Sequence, residues 1–221
     1  MEKFIEIKQE ILRRAKEAKA FVEQYKRALE SQTLAELAQV IKDNFNWVCH
    51  NKVIDAELIG TYQEEFAEVE IYANKSIDSG YVLINDNVDR LSGNAIAWMC
   101  GNSTVTEMLG NSTVTKMLGN STVTEMWDNS TVTEMWDNST VTKMLDNSTV
   151  TEMLGNSTVT EMLGNSTVTE MLGNSTVTEM LGNSYISTYT YIECKISGHA
   201  IMRVRSENKI YTNTTVEKPK L

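Results

Sequence analysis

The chain has little of what catalytic and metal-binding sequences concentrate. It holds two histidines and three cysteines in 221 residues. His50 and His199 lie in different regions, and Cys49, Cys100 and Cys194 are scattered with no CxxC, so the thiols read as buried and free. GxSxG, HExxH, the P-loop and GxGxxG are all missing, which disfavours the enzyme classes they mark. Positive charge is also short. Twenty Lys and Arg against 30 Asp and Glu leave a net charge of -10, whereas phosphate binding needs clustered cations. Direct nucleic-acid binding is therefore not expected, although an acidic rod could imitate a duplex. No run approaches the roughly 18 apolar residues of a membrane span, and the opening MEKFIEIKQEILRRAKEAKA has no signal-peptide core. The expectation is a cytoplasmic chain without membrane contact, cofactor or bound metal.

What is present begins with helical periodicity. Phe4, Ile7, Ile11, Ala15, Ala18, Val22, Tyr25 and Leu29 fall at three- and four-residue spacing, which predicts one helix over 2–30. Thr33 and Glu36 have capping-box spacing ahead of a second helix over 34–49, and Asp55 can cap a third over 56–67. From Val69 the pattern changes to short apolar runs separated by Asn, Asp, Ser and Gly, the mark of strands joined by tight turns. A helical cap domain over 1–68 and a strand domain over 69–215 follow.

Nine near-identical nonapeptides then occupy 101–181, starting at Gly101, Gly110, Gly119, Asp128, Asp137, Asp146, Gly155, Gly164 and Gly173. Degenerate copies flank them, SGNAIAWMC at 92–100 and GNSYISTYT at 182–190. A fixed short period in a foldable chain means stacked units that bury their apolar sides against one another. Ser-Thr-Val-Thr favours strand over helix, so the units are strands. Ser103 and Val105 should point inward and Thr104 and Thr106 outward. Val105 and Met108 are three apart, so both reach the core only if the chain bends near Glu107.

One nonapeptide is too short to encircle a core. Two per coil, 18 residues, give two faces of parallel strands about 4.8 Å apart, with Met and Val in columns and a rod about 40 Å long. The fold class is thus α+β: an N-terminal helical cap on a parallel β-solenoid. Gly or Asp followed by Asn supplies the turn, since Gly and Asn tolerate positive φ, and stacked Asn side chains can form hydrogen-bonded ladders. The helices should block one end of the stack, and the basic segment after Ser184, with Arg203, Arg205 and Lys209, the other. That segment leaves opposite charge at one end of an acidic rod, and a homodimer is expected.

The repeats carry ten acids against two lysines, Lys116 and Lys143, which read as relief for a ladder of like charges. Calcium is disfavoured, since one carboxylate per nine residues is thin for a hard cation. The candidate interaction surface is Thr104, Thr106, Glu107, Glu125, Trp127, Glu134 and Trp136. The function expected is a non-catalytic scaffold facing a protein partner. Two alternatives stand beside it: an acidic DNA mimic that inhibits a DNA-binding protein, and ice binding, because Thr-Val-Thr in each copy resembles the TxT arrays of insect antifreeze solenoids.

The whole chain, including VIKDNFNWVCHNKVID and STYTYIECKISGHAIMRVR, resembles proteins of gut Bacteroides and their phages or mobile elements. These pair a short helical start with tandem (G/D)-N-(A/S)-T-V repeats. The resemblance implies architecture and habitat, with no activity or functional residue to carry over.

Overall fold

In the computed structural model, which describes residues 2–213, the expected capping residues start their helices. The Thr33 hydroxyl accepts from the Glu36 amide at 3.2 Å, and the Asp55 carboxylate accepts from the Leu58 amide at 2.8 Å. Each predicted helix, however, is two. The first is α1 (Glu2–Glu17) and α2 (Val22–Glu30). Lys19 takes φ 57° between them, with the Ala20 amide bonded to the Ala15 carbonyl and Lys19 to Lys16. That is a Schellman ending with lysine where glycine is usual.

The chain then folds back, so that the Lys8 ammonium donates to the Leu29 carbonyl at 2.7 Å. Val22 and Leu29 continue the apolar stripe in sequence but face solvent, 85% and 53% exposed, and α2 buries Ala28 instead. The second helix divides at Asn44, whose side-chain Nδ2 donates to the Val40 carbonyl, into α3 (Leu34–Asp43) and α4 (Phe45–His50). The third divides at Tyr62 into α5 (Ala56–Thr61) and α6 (Gln63–Glu68).

Four strands precede the repeats: β1 (Ile71–Ala73), β2 (Tyr81–Ile84), β3 (Asn87–Leu91) and β4 (Ile96–Met99). Each nonapeptide gives one strand: β5 (Thr104–Met108), β6 (Thr113–Met117), β7 (Thr122–Met126), β8 (Thr131–Met135), β9 (Thr140–Met144), β10 (Thr149–Met153), β11 (Thr158–Met162), β12 (Thr167–Met171) and β13 (Thr176–Met180). After them come β14 (Tyr185–Thr188), β15 (Lys195–Ile196), β16 (Ile201–Val204) and β17 (Lys209–Thr212).

They form a parallel β-solenoid with two faces. Sheet A has ten strands in the order β1-β2-β4-β6-β8-β10-β12-β14-β16-β17, and sheet B seven, β3 through β15 by odd numbers. Within the repeats Thr104 faces Thr122 and Val105 faces Val123, so the coil is the expected 18 residues. The ladder skips Thr106 and resumes at Glu107 facing Glu125. This is the bend that turns both Val105 and Met108 inward. Ser, Val and Met columns fill the core, with Ser103, Val105 and Met108 at 0% exposure. Each such Val or Met contributes about 1.5–3 kcal/mol of burial.

The coils shorten at the ends: Asn87 faces Thr104, 17 residues on, and Tyr185 faces Ile201, 16 residues on. Caps finish both ends. The helices share a core with Ile71, Leu83 and Trp98, whose neighbours Val82, Ile84, Ala97 and Met99 point into the solenoid. The helical unit therefore lies on the outer face of the first sheet A strands as well as against β1. Sheet B's first edge is covered by residues 76–78 instead, with Ile77 bridging Leu91 and its carbonyl accepting from Ser92. At the far end β17 pairs antiparallel with β16, which interrupts the parallel stack. The expected C-terminal boundary at 215 lies outside the described residues.

Candidate interaction surface

Residues 18 apart share a face, and residues nine apart do not. The candidate residues accordingly divide. Thr104, Thr106, Glu107 and Glu125 stand on sheet B, with Trp127 at the corner after β7. Glu134 belongs to sheet A, with Trp136 at the corner after β8. The two groups form separate surfaces on opposite sides of the rod. Only the spacing of nine between Glu125 and Glu134 carried this in the sequence.

On sheet B two columns of threonines, the equivalents of Thr104 and Thr106, run beside a column of charge. In register that column reads Arg90, Glu107, Glu125, Lys143, Glu161, Glu179, Lys195. A positive residue thus starts it, ends it and interrupts its middle, so every glutamate has one oppositely charged neighbour. Arg90 meets Glu107 at 2.8 Å, Lys143 meets Glu161 at 3.9 Å, and Lys195 meets Glu179 at 2.5 Å. The Glu179 carboxylate raises the Lys195 pKa and holds that ammonium charged. Like charges directly opposite destabilise a sheet, and this order relieves them. Arg90 and Lys195 lie outside the perfect repeats. Their roles could not be read from the period because the end coils are shorter.

Sheet A carries Lys116, Glu134, Glu152 and Glu170 in register, and Arg205 reaches back to Glu170 at 2.5 Å. Lys116 lies 2.9 Å from Glu134 and 5.3 Å from the centre of the Trp136 ring, whose indole N–H donates to Glu134 at 2.7 Å. Trp127 donates likewise to Glu125 at 3.1 Å. At the turns the expected asparagine ladders form: Asn120 donates to Asn102 at 2.9 Å and Asn174 to Asn156 at 3.2 Å.

Burial pushes the Cys49, Cys100 and Cys194 thiols up, so they stay protonated and poorly nucleophilic. Among the described residues no three His, Cys, Asp or Glu side chains are grouped to hold a metal. A small groove of about 40 Å³ within the helices is lined by apolar side chains such as Ile11, Leu37, Trp47 and Val53, and its polar members are Gln24, Asn44 and the Tyr25 phenol. His50 is exposed on the helical unit, and the Trp98 indole N–H is buried with no hydrogen-bond partner among the described residues. No helix among the described residues is long and apolar enough to cross a membrane. No protein-family model, curated protein or solved structure matches the chain.

Proposed function

We propose that the chain is a non-catalytic interaction module, a stiff rod whose repeat number sets its length and whose sheet B face meets a protein partner. One observation carries this reading: from β5 to β13 the strands of sheet B keep one unshifted register, and their outer threonines and charges are not covered by the helical unit. A face held this rigidly loses little conformational entropy on binding. DNA mimicry is disfavoured by the basic residues that interrupt the acidic column, since a duplex offers unbroken negative charge. Ice binding is disfavoured by the same charged column beside the threonines. A cytoplasmic setting and a bacterial or phage origin belong to this proposal through the sequence pattern alone.

The experiment is capture from bacterial lysate on the immobilised chain at low and high salt, beside a variant with Thr124→Lys and Thr142→Lys on sheet B. Salt-resistant capture of one protein that the variant loses is the expected result. Capture of DNA-binding proteins at low salt alone would transfer the reading to mimicry. Equal capture by both forms would remove sheet B as the binding face.

A further inference from the structure

Each coil places one large apolar side chain at the corner that follows its sheet A strand. The helical unit covers only the first of them, Leu118, which packs into the core shared by helices and sheet. Trp136 in the next coil is 37% exposed, Leu154 is half-buried, and Leu172 is 38% exposed. Their amides bond to the preceding coil, Trp136 to Met117, Leu154 to Met135 and Leu172 to Met153, at 2.8–2.9 Å. The ridge has no free strand edge at these rungs, so anything that docks there must bring side chains. Beside it, Lys116 neutralises Glu134 and Arg205 neutralises Glu170, while the middle residue, Glu152, has no ion-pair partner among the described residues.

The same chain carries an unpartnered surface of matching form. On α2, Val22, Lys26 and Leu29 follow at helical spacing, and Val22 and Leu29 are the exposed pair that the apolar stripe in the sequence placed inside. Phe21, 72% exposed, extends this strip at its start. Seven residues of helix separate Val22 from Leu29 by about 10.5 Å. Two coils separate Trp136 from Leu172 by about 9.6 Å. With Val22 and Leu29 aligned on Trp136 and Leu172, Lys26 falls near the middle rung, where Glu152 lacks a cation among the described residues. Lys26 is free to make this contact, as its bond to Glu30 is long at 3.7 Å and highly exposed.

We infer that two copies associate through this pair of surfaces, the α2 strip of one lying on the Trp136–Leu154–Leu172 ridge of the other. Both surfaces are exposed in the single chain, so the contact is made between chains. The helical unit sits at one end of the rod and the free ridge extends away from it. Two rods side by side and antiparallel therefore exchange the contact twice about a two-fold axis, and the assembly closes as a dimer. The inference stands apart from the partner proposed for sheet B, which this contact leaves open.

Sedimentation equilibrium of the full chain over a concentration series tests it. The wild type should be a dimer. Leu172→Asp and Val22→Asp should each weaken it by at least about tenfold, the effect of losing an interfacial apolar anchor, while Leu163→Asp at the opposite corner should not. Circular dichroism checks that these variants fold. Should any not, the exposed charge reversals carry the test: Glu152→Lys and Lys26→Glu each weaken the dimer, and together they restore it. A monomeric wild type, an open series of larger species, or charge variants that fail to compensate would each overturn the inference. Sheet B capture by a monomeric variant would leave the proposed function standing regardless.

Discussion

The Asp137 carboxylate accepts a hydrogen bond at 2.9 Å from the backbone amide of Gly119, one coil earlier, and Asp128 makes the same contact with Gly110. Both aspartates hold positive φ, 58° and 56°, the conformation that their glycine counterparts adopt at no steric cost. Aspartate tolerates it and adds an acceptor for an amide at the turn. Asp137→Ala keeps the strain and loses the acceptor, so urea denaturation should register a loss of about 1–2 kcal/mol. Wild-type stability in that variant would mean the contact contributes nothing.

The serine columns make the opposite case. Ser139 is fully buried and its hydroxyl has no hydrogen-bond partner among the described residues, as is true of Ser121 and Ser157 above and below it. An unsatisfied buried hydroxyl is unfavourable by about 1–3 kcal/mol. Ser139→Ala removes it with almost no change of volume and should raise the urea midpoint. A lowered midpoint would show that the hydroxyl is bonded in solution.

Much of the solenoid was legible because its cause is periodic. The nine-residue spacing implied the 18-residue coil, strand alternation put Ser103 and Val105 inside, and the three-residue step to Met108 required the bend that the ladder makes at Thr106. Thr33 and Asp55 announced helix starts through local chemistry. The helix ends were not legible: Lys19 adopts the left-handed conformation without being glycine, and Val22 and Leu29 keep the stripe while tertiary packing turns them outward. The candidate surface was legible as columns but not as faces, and Arg90 and Lys195 join the charge column only because the end coils depart from the period.

Lys143 sits between Glu125 and Glu161 in the sheet B column. Lys143→Glu would place five glutamates in succession from Glu107 to Glu179. Exposed pairs in sheets are worth roughly 0.2–1 kcal/mol each, and added salt screens them. The variant should lose about 1 kcal/mol at low salt and recover most of it in high salt, read as thermal midpoints. A loss independent of salt would assign Lys143 a packing role instead.

Repeat identity also sets what deletions do. Excising 155–163 moves every later strand to the opposite sheet, where β12 meets β9 with its Lys143 and β13 meets β10, so each Thr, Val and Met stays in its own column. The ladders re-form, and unfolding followed by circular dichroism should stay cooperative. Excising 155–164, one residue more, removes the turn glycine at that corner and should abolish that transition. Equal behaviour of the two deletions would mean that column register does not control stability.

The helical unit covers the outward side chains of Leu83 and Trp98, while residues 76–78 guard the first edge of sheet B by themselves. Removing residues 1–68 therefore bares an apolar face more than an open edge, since β1 is only three residues long. Large exposed apolar patches drive association, so the truncated rod should elute as polydisperse aggregate. Adding Leu83→Lys and Trp98→Thr to the truncation should restore a discrete species, because both side chains then point to water and neither fills the solenoid core. That species should also be monomeric, having lost α2. Persistent aggregation after these two changes would return the cause to the strand edge. A monodisperse truncation without them would mean the helices do not protect the rod at all.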